Sequence, residues 1–330
     1  MEKKVVFGVI VLALIVLPLF VACTPTTLKT PTTPPTRSMI DPIVSTQWLS
    51  DNRTFPGLFI LDVRAPDNYA KGHIPGAINV PGLGNWYLNL FCKEFPWMEL
   101  PEEKALFATI GKAGITGDSL VVVVGRTSDP MACYAIADPA RDATTLVYAG
   151  IKNVAILDGG YDKWAAEGRT VSTAPVTLTP VTYTGAVRKE MFVSKDYVAN
   201  KIGKSIIVDA RDPEVYFGLV QEPWAKKPGH IPTAKCLPMP WFWNLTKDKN
   251  GAVTYGTWKD IDIAREMASG ILGKDTSAEI IVYCGVGGYA GSLWFMLHEV
   301  LGYTNVKIYD GSIQEWTADP KAPVAKYTYE

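Results

Sequence analysis

A chain of 330 residues, 48% hydrophobic and 20% charged, is long enough for about two domains and apolar enough to give each a core, which excludes wholesale disorder. Thirty-two Lys and Arg against 33 Asp and Glu leave a formal charge of -1, so nothing in the overall charge argues for a nucleic acid or an anionic membrane surface as partner. Five cysteines without paired spacing and three scattered histidines exclude a zinc site and point to chemistry without a metal or cofactor.

At the amino end two lysines precede residues 5–22, eighteen positions without a charge, as in an export signal or a single membrane span. Phe20-Val21-Ala22-Cys23 is similar to a bacterial lipoprotein signal, with Phe20 where Leu is usual. That resemblance implies lipidation of Cys23; an uncleaved anchor and simple cleavage are the alternatives, and all three export the chain. The expected product is membrane-anchored, facing the periplasm or cell exterior. Eleven of the fifteen residues 24–38 are Thr or Pro, a tether with a bias to extended polyproline geometry. The expected layout is a signal or anchor over 1–22 and a tether over 23–44.

The rest of the chain says similar things twice. An apolar run at 58–63 ends in Asp62-Val63-Arg64 and leads to GHIPGAINVP at 72–81; Ile206-Ile207-Val208 ends in Asp209-Ala210-Arg211 and leads to GHIPTAKCLP at 229–238. Next come short β-branched runs at 120–124 and 280–283, which read as strands buried on both faces of a parallel sheet. Each is followed by a helix-compatible stretch and a further strand, 153–157 and 305–309, closing in DGGYDKW (158–164) and DGSIQEW (310–316). Strands separated by helices predict right-handed βαβ units, an α/β fold in two domains over 45–180 and 188–325.

Cys284 stands where the strand 280–283 ends and the glycine-rich stretch Gly285-Val286-Gly287-Gly288-Tyr289 leads into a helix. The carboxyl edge of a parallel sheet is where ligands bind, and the following helix directs free N–H groups back at the loop. Converging N–H groups predict a thiol that ionises readily.

The tandem repeat, the D-x-R strand ends, GHIP, the strand-Cys-loop-helix and DG-x-x-x-x-W together resemble the two-domain rhodaneses, the thiosulfate and 3-mercaptopyruvate sulfurtransferases, over residues 45–320. The resemblance implies two rhodanese-like domains, each a parallel sheet flanked by helices. Only the second is catalytic, because the first has Gly125 where the second has Cys284. It implies a persulfide on Cys284, loaded from a small anionic sulfur donor and discharged to a thiol, cyanide or protein acceptor. It makes Arg211 the group that grips the donor and residues 285–289 the loop that surrounds the sulfur, with Asp209, His230 and Trp241 in support. Thiosulfate-specific members carry Arg or Lys just after the cysteine, where this chain has Gly285 and Val286. Mercaptopyruvate-specific members carry Ser in the loop and a second arginine, where this chain has Val286 and Val215.

Other readings compete. Gly285-x-Gly287-x-x-Ala290 with Asp310 matches a dinucleotide-binding fingerprint, but too little chain follows Asp310 to complete that fold. A cysteine phosphatase needs an arginine at position 290, which is Ala. A non-catalytic sulfur- or ligand-binding module of the same fold is the principal alternative. His73 and His230 occupy matching turns in both halves and read as structural. His298 reads as a solvated helix face. Lys226, Lys227 and Lys235 read either as positive potential near the donor or as surface, and Arg126 and Asp129 as reaching toward the active site from the silent half. Cys92, Cys133 and Cys236 are candidates for a disulfide of unspecified pairing.

Overall fold

The computed structural model describes Met1 and residues 40–82, 99–129 and 132–329. In the first half β1 (Ile43–Val44), α1 (Thr46–Asn52), β2 (Leu58–Asp62), α2 (Pro66–Lys71), β3 (Ile78–Asn79), α3 (Glu103–Lys112), β4 (Leu120–Val124), α4 (Ala132–Tyr148), β5 (Asn153–Leu157) and α5 (Gly160–Ala166) follow one another. The second half contains α6 (Lys195–Lys201), β6 (Ile206–Asp209), α7 (Pro213–Tyr216), β7 (Lys235–Cys236), β8 (Trp243–Lys247), β9 (Val253–Trp258), α8 (Ile261–Leu272), β10 (Ile280–Tyr283), α9 (Gly288–Phe295), β11 (Val306–Ile308) and α10 (Ser312–Ala318).

The sheets run β1-β5-β4-β2-β3 and β11-β10-β6-β7, parallel throughout. The β-branched runs sit at their centres: every residue of β4 and β10 is buried, as a strand covered by helices on both faces requires. Register repeats as well. Asp62 pairs with Val124 and Asp209 with Tyr283, so each D-x-R aspartate lies beside the last residue before the loop that holds Gly125 or Cys284. Trp164 and Trp316 are buried in matching places and donate to the carbonyls of Thr170 and Pro323. The antiparallel hairpin β8-β9 has no counterpart among the described residues and went unread in the sequence.

Both halves belong to one compact unit, and equivalent helices meet at its centre. Helix α4 packs on α9, with Thr144 Oγ1 donating to Gly291 O and Ser292 Oγ donating to Ala137 O. Arg141 of α4 makes a bidentate ion pair with Asp310, at 2.6 and 2.9 Å, with both side chains 1% exposed. Asp310 also accepts the Leu100 N–H, and its counterpart Asp158 accepts the Trp258 N–H, so each DG aspartate takes a backbone donor from the opposite half. Gly125 is fixed by α4 too: a Cβ there would lie 2.8 Å from the Pro139 ring.

The expectation of a membrane anchor is overturned, because among the described residues no helix is long and apolar enough to cross a membrane. The lipidation assigned to Cys23 and the export signal receive no support; with the tether as far as residue 39, they lie outside the described residues. Cys133 and Cys236 are free thiols, and Cys92 lies outside the described residues.

Arg141→Met leaves the Asp310 carboxylate buried and unpaired, so it is expected to cost about 3–5 kcal/mol in urea unfolding. The double variant Arg141→Met/Asp310→Leu should recover part of that loss. A single variant within ~1 kcal/mol of the parent would contradict the role given to the pair.

Candidate active site

β10 delivers Cys284 to the carboxyl edge of the second sheet, where three elements hold its loop. The first turn of α10 donates from Ile313 N to Cys284 O and from Gln314 N to Gly285 O, while Ser312 Oγ accepts the Cys284 N–H at 3.1 Å. The start of α9 turns the Gly287 N–H onto Cys284 Sγ at 3.1 Å. Across the interface, Arg141 Nη1 donates to Gly287 O at 3.3 Å, so both sides of residue 287 are engaged, one by the sulfur and one by the first half.

The thiol is only 3% exposed. Burial pushes its pKa above the ordinary cysteine value; the N–H groups of Ala290, Val286 and Gly287 pull it down, and the Glu222 carboxylate adds to the upward push. The expectation of a readily ionised thiol is therefore corrected. The helix N–H groups act as anticipated, but desolvation outweighs them in this closed site.

The closure comes from a segment with no motif of its own. The Gly72 carbonyl that Arg64 binds lies eight positions after it, and the Gly229 carbonyl that Arg211 binds lies eighteen after, so the second half carries ten extra residues. These bring in Glu222 and Trp224. Glu222 accepts from Arg211 Nη1 at 3.2 Å and is bonded by Trp224. A Cβ on Gly285 would lie 2.5 Å from Trp224 Nε1, so no side chain fits after the cysteine while this cap is seated. The cavity that remains is about 20 Å³, lined by Tyr134, Arg211, Glu222, Trp224, Cys284, Gly285, Val286, Gly288 and Tyr289. That is room for about one water. The length difference between the two GHIP arms was the signal that could have located the cap.

Among the residues expected at the site, Arg211, Cys284, Gly285, Val286, Gly288 and Tyr289 meet in this cavity, and Tyr289 stacks on Tyr134 of the first half at 5.3 Å. Arg211 is more committed than expected. Its Nε and Nη2 bind Asp209, Nη2 also binds Gly229 O, and only Nη1 faces an exchangeable partner. His230 lies in the core, stacked on Tyr216 with Nδ1 against Tyr216 O; burial lowers its pKa below the usual histidine value, and its backbone bridge to Ala325 matches that of His73 to Ser172. Trp241 is 44% exposed and outside the cavity lining. Lys227 and Lys235 bind backbone carbonyls. Asp129 caps the hairpin through the Val253 N–H, and His298 pairs with Glu299 and stacks on Trp294.

A family model, the Rhodanese-like domain, matches residues 45–167 and again 194–319. The sulfur carrier protein TtuD of Thermus thermophilus is 31% identical over 300 residues, covering 86% of this chain and 96% of that protein. An EanB variant solved with ergothioneine superposes with TM-score 0.70 at 21% identity, covering 88% of this chain and 71% of that one. YnjE superposes with TM-score 0.70 at 24% identity, covering 86% and 68%. At such identities the two structures speak to the fold alone.

Because the thiol pKa is raised, the rate of Cys284 alkylation by iodoacetamide should still be climbing above about pH 8.5, the unperturbed cysteine value. Glu222→Gln removes a charge that raises the thiol pKa, so its profile should shift to lower pH and its rate at pH 8 should increase. A wild-type plateau below pH 7.5 would contradict this electrostatic picture.

Proposed function

This chain belongs to the rhodanese family of sulfurtransferase-type proteins, and from that premise we propose that it moves a sulfane sulfur from thiosulfate or a related anionic donor to a thiophilic acceptor through Cys284. The observation that carries the proposal is the contact of the Gly287 N–H with Cys284 Sγ at the carboxyl edge of the sheet, in the one half that has a cysteine at that place. The thiolate attacks the outer sulfur of the donor. The S–S bond of thiosulfate breaks, sulfite leaves with the electron pair, and an anionic persulfide remains on Cys284. The N–H groups of Val286, Gly287 and Ala290, which pull the thiol toward its anion, are oriented to favour the persulfide in the same way. A thiol, cyanide or a protein nucleophile then takes the terminal sulfur and regenerates the thiolate.

A cavity of about 20 Å³ admits no such donor. Entry therefore requires the Glu222-Trp224 cap to move, and the donor's anionic end replaces the Glu222 carboxylate on Arg211 Nη1. Arg211 is assigned to that contact, Asp209 to holding Arg211, and His230 to the turn behind them; Trp241 takes no direct part. The silent half, over 45–180, contributes Tyr134 and Arg141 without chemistry of its own.

The closed cavity and the raised thiol also suit a non-catalytic sulfur-binding module, and turnover separates the two readings. Purified protein should turn over with thiosulfate or mercaptopyruvate, and Cys284→Ser should abolish it with the fold retained by circular dichroism. Glu222→Gln removes the group that competes for Arg211, so it should lower KM for the anionic donor about tenfold if a charge-assisted bond of ~1.4 kcal/mol is relieved. Turnover by the serine variant would sink the proposal, and absence of turnover by the parent with every donor would favour the binding module. Arg211→Gln is a poor test of donor binding, because it strands the buried Asp209 and should cost about 3–5 kcal/mol of stability.

A further inference from the structure

The silent half keeps the arginine arrangement of the catalytic half and lacks its cap. Asp62 takes Nε and Nη2 of Arg64, the Gly72 carbonyl takes Nη2 again, and the Tyr161 ring lies 3.6 Å from the guanidinium carbon. In the catalytic half the corresponding Nη1 carries the Glu222 carboxylate. In the silent half α2 runs directly into Gly72, no inserted carboxylate is present, and Nη1 of Arg64 has no acceptor among the described residues.

Beside this guanidinium lies a cavity of about 290 Å³, lined by Arg64, Asn68, Gly125, Arg126 and Asp138 with apolar neighbours. It continues into a space of about 300 Å³ that shares Arg64, Asn68 and Arg126 and adds Lys71 and Asp162. The volume is the low end of what small-molecule sites offer. Gly125 leaves the position of the nucleophile without a side chain. Asp62 balances Arg64, and Asp162 is occupied by the Thr127 N–H. Burial pushes the Asp138 carboxyl up to about 7, with Arg126 opposing. At slightly acid pH that carboxyl is mostly neutral, so Arg64, Lys71 and Arg126 face the carboxylates of Asp62 and Asp162 and the cations of the lining outnumber its anions.

We propose that this cavity is a second, non-catalytic anion site, which takes a small oxyanion or short carboxylate against Arg64 Nη1, Arg126 and the Asn68 amide. The catalytic half supplies the internal precedent, since a carboxylate occupies the equivalent edge of Arg211 there. With Gly125 in place of a nucleophile the ligand is held and released unchanged. This site does not depend on the sulfur chemistry of Cys284, so the two stand or fall separately.

The test is calorimetric titration of the full chain carrying Cys284→Ser, at pH 6 and constant ionic strength, with sulfate and with pyruvate as probes. One site per chain is expected for at least one probe, weakened tenfold or more by Arg126→Gln and by Asn68→Leu. Stronger sulfate binding marks the site as one for tetrahedral oxyanions, and stronger pyruvate binding as one for carboxylates. Asn68 is exposed, so its variant decides the matter if Arg126→Gln fails to fold. No binding of either probe, or binding that both substitutions leave unchanged, overturns the proposal.

Discussion

The buried pair of Arg141 and Asp310 is the contact on which both the architecture and the loop depend. A guanidinium and a carboxylate, each 1% exposed, are tolerable in a core only when fully paired and hydrogen-bonded. Asp310 begins the segment that leads into α10, whose first N–H groups hold the carbonyls of Cys284 and Gly285. Arg141 comes from the other half and reaches the carbonyl of Gly287, whose N–H faces the sulfur. One ion pair thus ties the packing of α4 on α9 to the geometry at the thiol, which explains how a half without a nucleophile is nonetheless built into the site.

Given that tie, the two halves differ through a few residues. Both place an Asp-Arg pair at the strand end in the same register. In the second half ten inserted residues set Glu222 on the free edge of the arginine and close the space over Cys284. In the first half the insertion is missing, and Pro139 stands where a Cβ on Gly125 would go. Position 125 is therefore sterically unsuited to a cysteine, and the open cavity beside Arg64 follows from the absent cap.

Much of this was legible because it is local. The strands at 120–124, 206–209 and 280–283 announce themselves by β-branched runs and that at 58–62 by an apolar one, and the two D-x-R and GHIP copies identify the repeat. Arg141 was not legible: it lies in an ordinary helix, and its partner is 169 residues away. Glu222 hid in a segment that reads as loop, visible only as a length difference. Ionisation of Cys284 was misjudged because a sequence shows the helix that follows a thiol but not the desolvation around it. Trp241 shares an apolar run with Phe242 and Trp243, yet a turn of 3₁₀ helix leaves it 44% exposed while they are buried. The apolar amino-terminal run suggested an anchor by composition, and no helix among the described residues has that character.

The proposed chemistry requires that sulfur be carried by Cys284 and by no other residue. Intact-mass and peptide mass spectrometry after a short exposure to thiosulfate or mercaptopyruvate reads this directly. The predicted result is one added sulfur per chain, confined to the peptide that contains Cys284 and removed by cyanide. A cyanide-labile sulfur on Cys133 or Cys236, with Cys284 unmodified, would contradict it.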